Sequence, residues 1–170
     1  MKHRTFFTAF TAFFAVAAVI GCSGEQRPDG LPKLYPCTIT ITQDGQPLAE
    51  ATVQLHDPAV TDRWTVSGLT NASGSAVMRT HGQFPGVPEG RFKIILTKTV
   101  LEGGSTDDET TPENARKPRE AVKVYSLVGK EYTNRETTPL EIVIDGKKRS
   151  ESFNIGRTER ILIETIRPGM

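Results

Sequence analysis

The chain has 170 residues, 36 % of them hydrophobic, with 21 Lys and Arg against 20 Asp and Glu. So even a balance gives no electrostatic footprint for nucleic acid or for a strongly charged surface partner. The length fits one domain plus flanking segments.

The first segment carries Lys2, His3 and Arg4 ahead of an uncharged apolar run, FFTAFTAFFAVAAVIG. That is the layout of a secretory signal, and the run is shorter than the roughly 20 residues a spanning helix needs. Val19-Ile20-Gly21-Cys22 resembles the lipobox of bacterial lipoproteins. The resemblance implies cleavage that removes 1–21, and a diacylglyceryl group on the Cys22 sulfur. A buried methylene contributes about 0.8 kcal/mol and one acyl chain holds only marginally, so such anchors use two or three. An ordinary signal peptide with a chance cysteine, or an uncleaved anchor, is the alternative. The lipobox reading places the protein in the bacterial cell envelope, tied to a membrane through Cys22 and facing the periplasm or the exterior. Removing 1–21 takes away Lys2 and Arg4 and leaves 19 bases against 20 acids. It also leaves Cys37 without a disulfide partner, so the domain must be held by its core.

Residues 22–35, with Pro28, Asp29-Gly30 and Pro32, show no periodicity and read as a flexible tether. At 36–42, Cys37, Ile39 and Ile41 alternate with threonines, which predicts a half-buried strand. Cys37 is then a small buried residue; a reactive thiol is the other reading. Asp44-Gly45 predicts a tight turn, followed by a strand with Ala51, Val53 and Leu55 inward. RWTVSG (63–68) reads as a third strand with Trp64 and Val66 on one face. Thr70-Asn71-Ala72-Ser73-Gly74 predicts a side-chain-stabilised turn, after which Ala76 and Met78 face the core. A turn through Gly90 then feeds a strand with Phe92, Ile94 and Leu96 inward.

Residues 102–121 have almost no apolar content and read as a disordered excursion or a binding loop. VKVYSLVGKEY (122–132) is ambiguous. LEIVI (140–144) alternates, Asp145-Gly146 opens a turn, and SESFNI (150–155) alternates again. RILIETI adds an edge strand with Ile161, Ile163 and Thr165 inward. About seven short strands separated by turns predict an all-β fold, an antiparallel β-sandwich spanning 36–168.

DGQPLAEATVQL resembles the opening hairpin of carboxypeptidase regulatory-like domains, whose fold is similar to transthyretin (prealbumin). The matching positions are Gly45, Pro47, Leu48, Ala51 and Val53, with Glu50 where a small residue is usual. Thr70 to Gly74 and Pro88-Glu89-Gly90-Arg91-Phe92 resemble two further family phrases. Asn71 and Ser73 stand where acids are common there, which argues against a cation at that turn. The second half is similar to a subgroup of small bacterial lipoproteins at Lys130, Tyr132, Thr138, Leu140, Val143 and Gly146. In that subgroup a Tyr-Pro opens the first strand, as Tyr35-Pro36 does here. The resemblance implies a transthyretin-like β-sandwich and supplies no activity.

For chemistry, His56 and His81 stand alone, without the spacing of a metal site. No GxSxG and no Walker-type loop is present, and Asp107-Asp108-Glu109 lacks calcium-loop spacing. The expectation is no cofactor, no metal and no catalytic residue. Trp64, Tyr125 and Tyr132 are the aromatics that an exposed carbohydrate platform would use; core packing is the simpler role for Trp64. The expected function is a non-enzymatic, membrane-anchored envelope lipoprotein acting as an interaction or structural module. A protein binding a small ligand or carbohydrate through its end loops is the alternative. The partners are then the membrane, through Cys22, and an envelope protein or a glycan.

Overall fold

The computed structural model describes residues 27–104, 121–156 and 160–167. The signal, Cys22 and most of the 102–121 excursion, including Asp107 to Glu109, lie outside the described residues. A compact unit begins at Leu31. Tyr35, from the stretch expected to be tether, belongs to this unit and exchanges main-chain hydrogen bonds with Val87 at 2.9 Å each way.

Alternation becomes strand as expected in β1 (Cys37–Gln43), where Cys37, Ile39 and Ile41 are buried. Asp44 and Gly45 follow, both with positive φ (51° and 77°), the geometry of the hairpin turn that matches strand twist. They return the chain to β2 (Gln46–Pro47), which pairs with β1. β3 (Thr52–His56) buries Val53 and Leu55. A helical turn, α1 (Pro58–Thr61), comes next, although no helix was expected. Asp57 caps it by accepting from the Ala59 N–H at 3.0 Å, and Pro58 opens it with a preset φ. The turn runs on through Arg63 and Trp64, whose N–H groups both reach the Val60 carbonyl, so the third strand starts later than expected, as β4 (Val66–Leu69). Trp64 lies ahead of β4 and is nonetheless buried.

The middle of the chain gives β5 (Ser75–Val77), β6 (Arg79–Thr80), β7 (Phe84–Pro85), β8 (Gly90–Thr97) and β9 (Thr99–Glu102). Phe92, Ile94 and Leu96 of β8 are fully buried, as their alternation predicts. Glu102, expected to begin the excursion, closes β9. The ambiguous segment resolves into β10 (Val122–Ser126) and a 3-10 turn (Lys130–Tyr132). β11 (Glu141–Ile144), β12 (Arg149–Ile155) and β13 (Ile161–Ile166) complete the described strands.

The fold is mostly β. One antiparallel sheet has the order β11-β8-β3-β4-β6-β7. A second has the order β12-β1-β2, with β5 also on β1. One core joins their inner faces. Cys37, Ile39, Ile41, Ala76 and Ile155 of the second sheet cluster with Val53, Leu55, Phe92, Ile94, Leu96, Ile142 and Ile144 of the first. Each Val, Leu, Ile or Phe side chain among them contributes about 1.5–3 kcal/mol by leaving water, and no disulfide joins the sheets among the described residues. Cys37 is free. Burial, helped by the Glu151 charge, pushes its thiol up to about 11.

Two expectations are corrected. The strands on either side of Asp145-Gly146, expected in one antiparallel arrangement, do not pair with each other: β11 joins the first sheet and β12 the second. β12 is moreover parallel to β1, in register from Cys37 opposite Arg149 to Gln43 opposite Ile155. Local turn signals cannot show a pairing between the two ends of a domain. β13, in turn, joins a separate three-stranded sheet, β13-β10-β9. Its ladder with β10 slips between Val124 and Tyr125. Ile163, expected inward, is 57 % exposed.

Glu50 sits at φ 55° between β2 and β3, its side chain exposed and its N–H bonded to the Thr70 carbonyl. A Cβ in this left-handed region costs about 1–2 kcal/mol. Glycine removes that cost and gives part of it back as unfolded-state entropy. Glu50→Gly should therefore stabilise the fold by about 0.5–1 kcal/mol, read as a rise in the urea midpoint with unchanged slope.

Candidate functional site

The register of the first sheet builds a polar row on its outer face. His56 of β3 lies opposite Lys93 of β8, and Lys93 lies opposite Glu141 of β11. Their neighbours Leu55, Ile94 and Ile142 alternate into the core, so the row is the outward half of three half-buried strands.

Arg135 reaches this row from the loop after the 3-10 turn. That loop is tied by Asn134, whose side chain accepts from the Glu136 N–H at 2.9 Å and whose carbonyl accepts from the Thr138 N–H at 2.9 Å. Thr138, itself buried, donates to the Ile94 carbonyl at 2.8 Å. Arg135 Nη1 then donates to His56 Nε2 at 3.0 Å. A guanidinium only donates, so Nε2 accepts and the ring hydrogen is on Nδ1. Nδ1 faces Thr61 Oγ1 at 3.1 Å, and that hydroxyl donates onward to the Asp57 carbonyl at 2.8 Å. The ring is thus held on both nitrogens.

These groups line an open cleft of about 560 Å³ with Asp57, Asp62 and Arg91. Lys93 Nζ lies 2.6 Å and Arg91 Nη1 3.6 Å from the Glu141 carboxylate. Among the described residues Arg135 has no carboxylate partner. The hydrogen bond and charge of Lys93, then the charge of Arg91, hold the Glu141 carboxyl below its usual 4.5. A depressed carboxyl favours the fold above its unfolded value, and that contribution is lost as pH falls through the folded value. A carboxyl-carbon NMR titration should give Glu141 a midpoint below 4.5. Lys93→Gln should raise that midpoint.

His81 and Trp64 form a second cluster at the same end of the sheet. Leu55 pairs with Val66 and Val66 with Thr80, which places His56, Trp64 and His81 at one end. The Trp64 and His81 rings meet edge to face at 5.1 Å, and the Arg63 guanidinium lies 5.1 Å from the Trp64 ring centre. His81 holds a φ of 52°, pinned by its N–H to the Thr65 carbonyl (2.7 Å) and by Nε2 to the Arg63 carbonyl (3.1 Å). His56 and His81 therefore serve different clusters.

Tyr132 packs against the core, and Tyr125 lies under the Arg160 guanidinium at 4.4 Å. No two of Trp64, Tyr125 and Tyr132 stack among the described residues. The described ends of the excursion, Glu102 to Gly104 and Ala121, adjoin β9 and β10, not the sheet that carries His56. Among the described residues no group of three or more His, Cys, Asp or Glu is placed to hold a metal ion.

The edge of β12 is the second surface of interest. Arg149 donates its N–H to the Pro36 carbonyl, and Ile155 accepts from the Asp44 N–H. By alternation, the main-chain groups of Arg149, Glu151, Phe153 and Ile155 face β1. Those of Ser150, Ser152 and Asn154 face outward, with no neighbouring strand among the described residues. Several other edges are blunted. Arg149 Nε covers the Val143 carbonyl of β11 at 3.1 Å, β13 is irregular, and β2 and β7 are two residues long and contain Pro47 and Pro85. β12 has seven residues in unbroken register and neither proline nor lysine.

The sequence marks His56 only as a lone histidine and gives no sign of Arg135, Lys93 and Glu141 beside it. Alternation marks Lys93 and Glu141 as outward, but which strands lie side by side is not written in either segment. Comparison with family models, with curated proteins and with solved structures gives no match.

Proposed function

We propose that this protein is a lipid-anchored envelope lipoprotein whose β domain works as a non-enzymatic interaction module. The Val19-Ile20-Gly21-Cys22 segment supports the anchor. A transthyretin-like sandwich of the carboxypeptidase regulatory-like kind is the arrangement proposed for the domain, supported by the core shared between its two main sheets. The observation that carries the interaction reading is the edge of β12, seven residues long, in unbroken register and unpaired on its outer side among the described residues. Natural sheets usually blunt such an edge, because its free N–H and C=O groups recruit another strand.

Cys22→Ala should move the protein from the membrane to the soluble fraction; retention at the membrane overturns the anchor. A photo-crosslinking side chain at Asn154 should capture a polypeptide in cells. No capture by a variant with a normal melt overturns the interaction reading.

A second reading, binding of a small ligand or carbohydrate, is favoured by the cleft at His56, where Arg135 has donors unused by any described acid. A thermal-shift screen against charged sugars and small zwitterions tests it. A shift lost in Arg135→Gln supports it; no shift with any compound overturns it.

A further inference from the structure

We propose that the edge of β12 pairs with itself: two copies of this chain join antiparallel about a two-fold axis at Ser150. The inference rests on the interaction reading above and names the partner. Three observations carry it.

The first is the hydrogen-bonding phase. Arg149 N and Ile155 O are spent on the β1 side, so Ser150, Ser152 and Asn154 present their main-chain groups outward. A second strand exchanges bonds when members of this outward set lie opposite one another, which an axis at any residue of β12 satisfies. The phase therefore fixes which residues bond, and the side chains choose the axis. Ser150 opposite Ser150 of the second copy is then a hydrogen-bonded pair.

The second is charge. With the axis at Ser150, Arg149 lies opposite Glu151 of the second copy, and by symmetry this happens twice. These are non-hydrogen-bonded positions, where opposed Cα atoms approach to about 4.5 Å and side chains meet most closely. With the axis at Arg149 or Glu151, a like charge faces its own copy. With the axis at Ser152, Glu151 faces Phe153 and Arg149 faces Ile155, and with the axis at Phe153, Glu151 faces Ile155, so no ion pair forms. Opposite charges directly across a ladder are favourable and like charges are not.

The third is that Glu151 is unused. It is half-buried, and no described cation lies within ion-pair distance of it. Arg149 places Nη2 3.5 Å from Asp145 and Nε 3.1 Å from the Val143 carbonyl. Its guanidinium keeps further donors for Glu151 of the second copy.

The test is oxidative crosslinking of the full-length chain in membranes, with the parent chain as control. Across the Ser150 axis the Cα atoms lie about 5.5 Å apart, within disulfide span. Ser152 would be roughly 14 Å from its counterpart, beyond it. Ser150→Cys should give a dimer band on a non-reducing gel, and Ser152→Cys should not. A dimer from Ser152→Cys alone overturns this register. No dimer from either variant, both with normal melts, overturns self-pairing. A band at the mass of another polypeptide also overturns self-pairing, while the interaction reading survives. In the Ser150→Cys chain, Glu151→Arg should lower the dimer yield about tenfold by opposing like charges. Adding Arg149→Glu should restore it. Failure to restore in a chain that melts normally overturns the charge pairing. The comparison of Ser150 with Ser152 does not depend on Arg149, whose loss also uncovers β11.

Discussion

Gly74→Ala should destabilise the domain by about 3–4 kcal/mol, near the top of the range for single substitutions. Gly74 ends the Thr70 turn at φ 74° and lies flat on β1. Its carbonyl accepts from the Ile41 N–H at 2.8 Å, and its N–H reaches the Asn71 carbonyl at 2.9 Å. An added Cβ falls inside contact distance of the Ile41 carbonyl oxygen, 3.1 Å from the Leu48 nitrogen and 3.3 Å from the Pro47 Cα. These neighbours are main chain and cannot rotate away. The methyl also wedges into the 3.0 Å bond from the Leu48 N–H to Ile41. The left-handed φ alone accounts for about 1–2 kcal/mol; the clash supplies the rest. Chemical denaturation reads the loss. A change under about 1 kcal/mol would mean that β1 and the turn are not in this contact.

Thr70→Val should cost about 2–4 kcal/mol, although the two side chains have nearly the same shape. The Thr70 hydroxyl is buried and does two jobs: it donates to the Leu48 carbonyl at 2.6 Å and accepts from the Ala51 N–H at 2.7 Å. Its main chain binds the same loop, accepting from Glu50 and donating to Ala51, each at 2.9 Å. Valine keeps the main-chain bonds and the packing but strands one buried donor and one buried acceptor, at about 1–3 kcal/mol each. Thr70→Ser keeps the hydroxyl and should cost less than about 1 kcal/mol. Equal losses in the two variants would show that the methyl, not the hydroxyl, is what matters.

Much of this was legible wherever a pattern is local. Cys37-Ile39-Ile41 and Phe92-Ile94-Leu96 declare one buried face each, and both are fully in the core. Asn71 and Gly74 read as a turn because one side chain bonds its own backbone: Asn71 Oδ1 accepts from the Ser73 and Ser75 N–H groups at 2.9 and 3.1 Å. The capped turn at Asp57-Pro58 is also written locally, as an N-cap aspartate followed by a proline that presets φ. What could not be read is adjacency. Nothing in TITIT or SESFNI says that these strands lie side by side, nor that Lys93 meets Glu141. Ile163 has the composition of a core residue and is exposed, because the slip in β13 is a property of the ladder and not of the residue.

The parallel union of β1 with β12 has a kinetic consequence. A ladder from residue 37 to residue 149 closes nearly the whole domain into one loop, and such distant pairings form late and set a slow folding rate. The opening strand can find β2 and β5 early, yet its other flank stays bare until the chain reaches Ile155. A nascent chain is therefore kept from sealing its core until Ile155 has emerged. A truncation before Arg149 should leave a protein that collapses but does not lock.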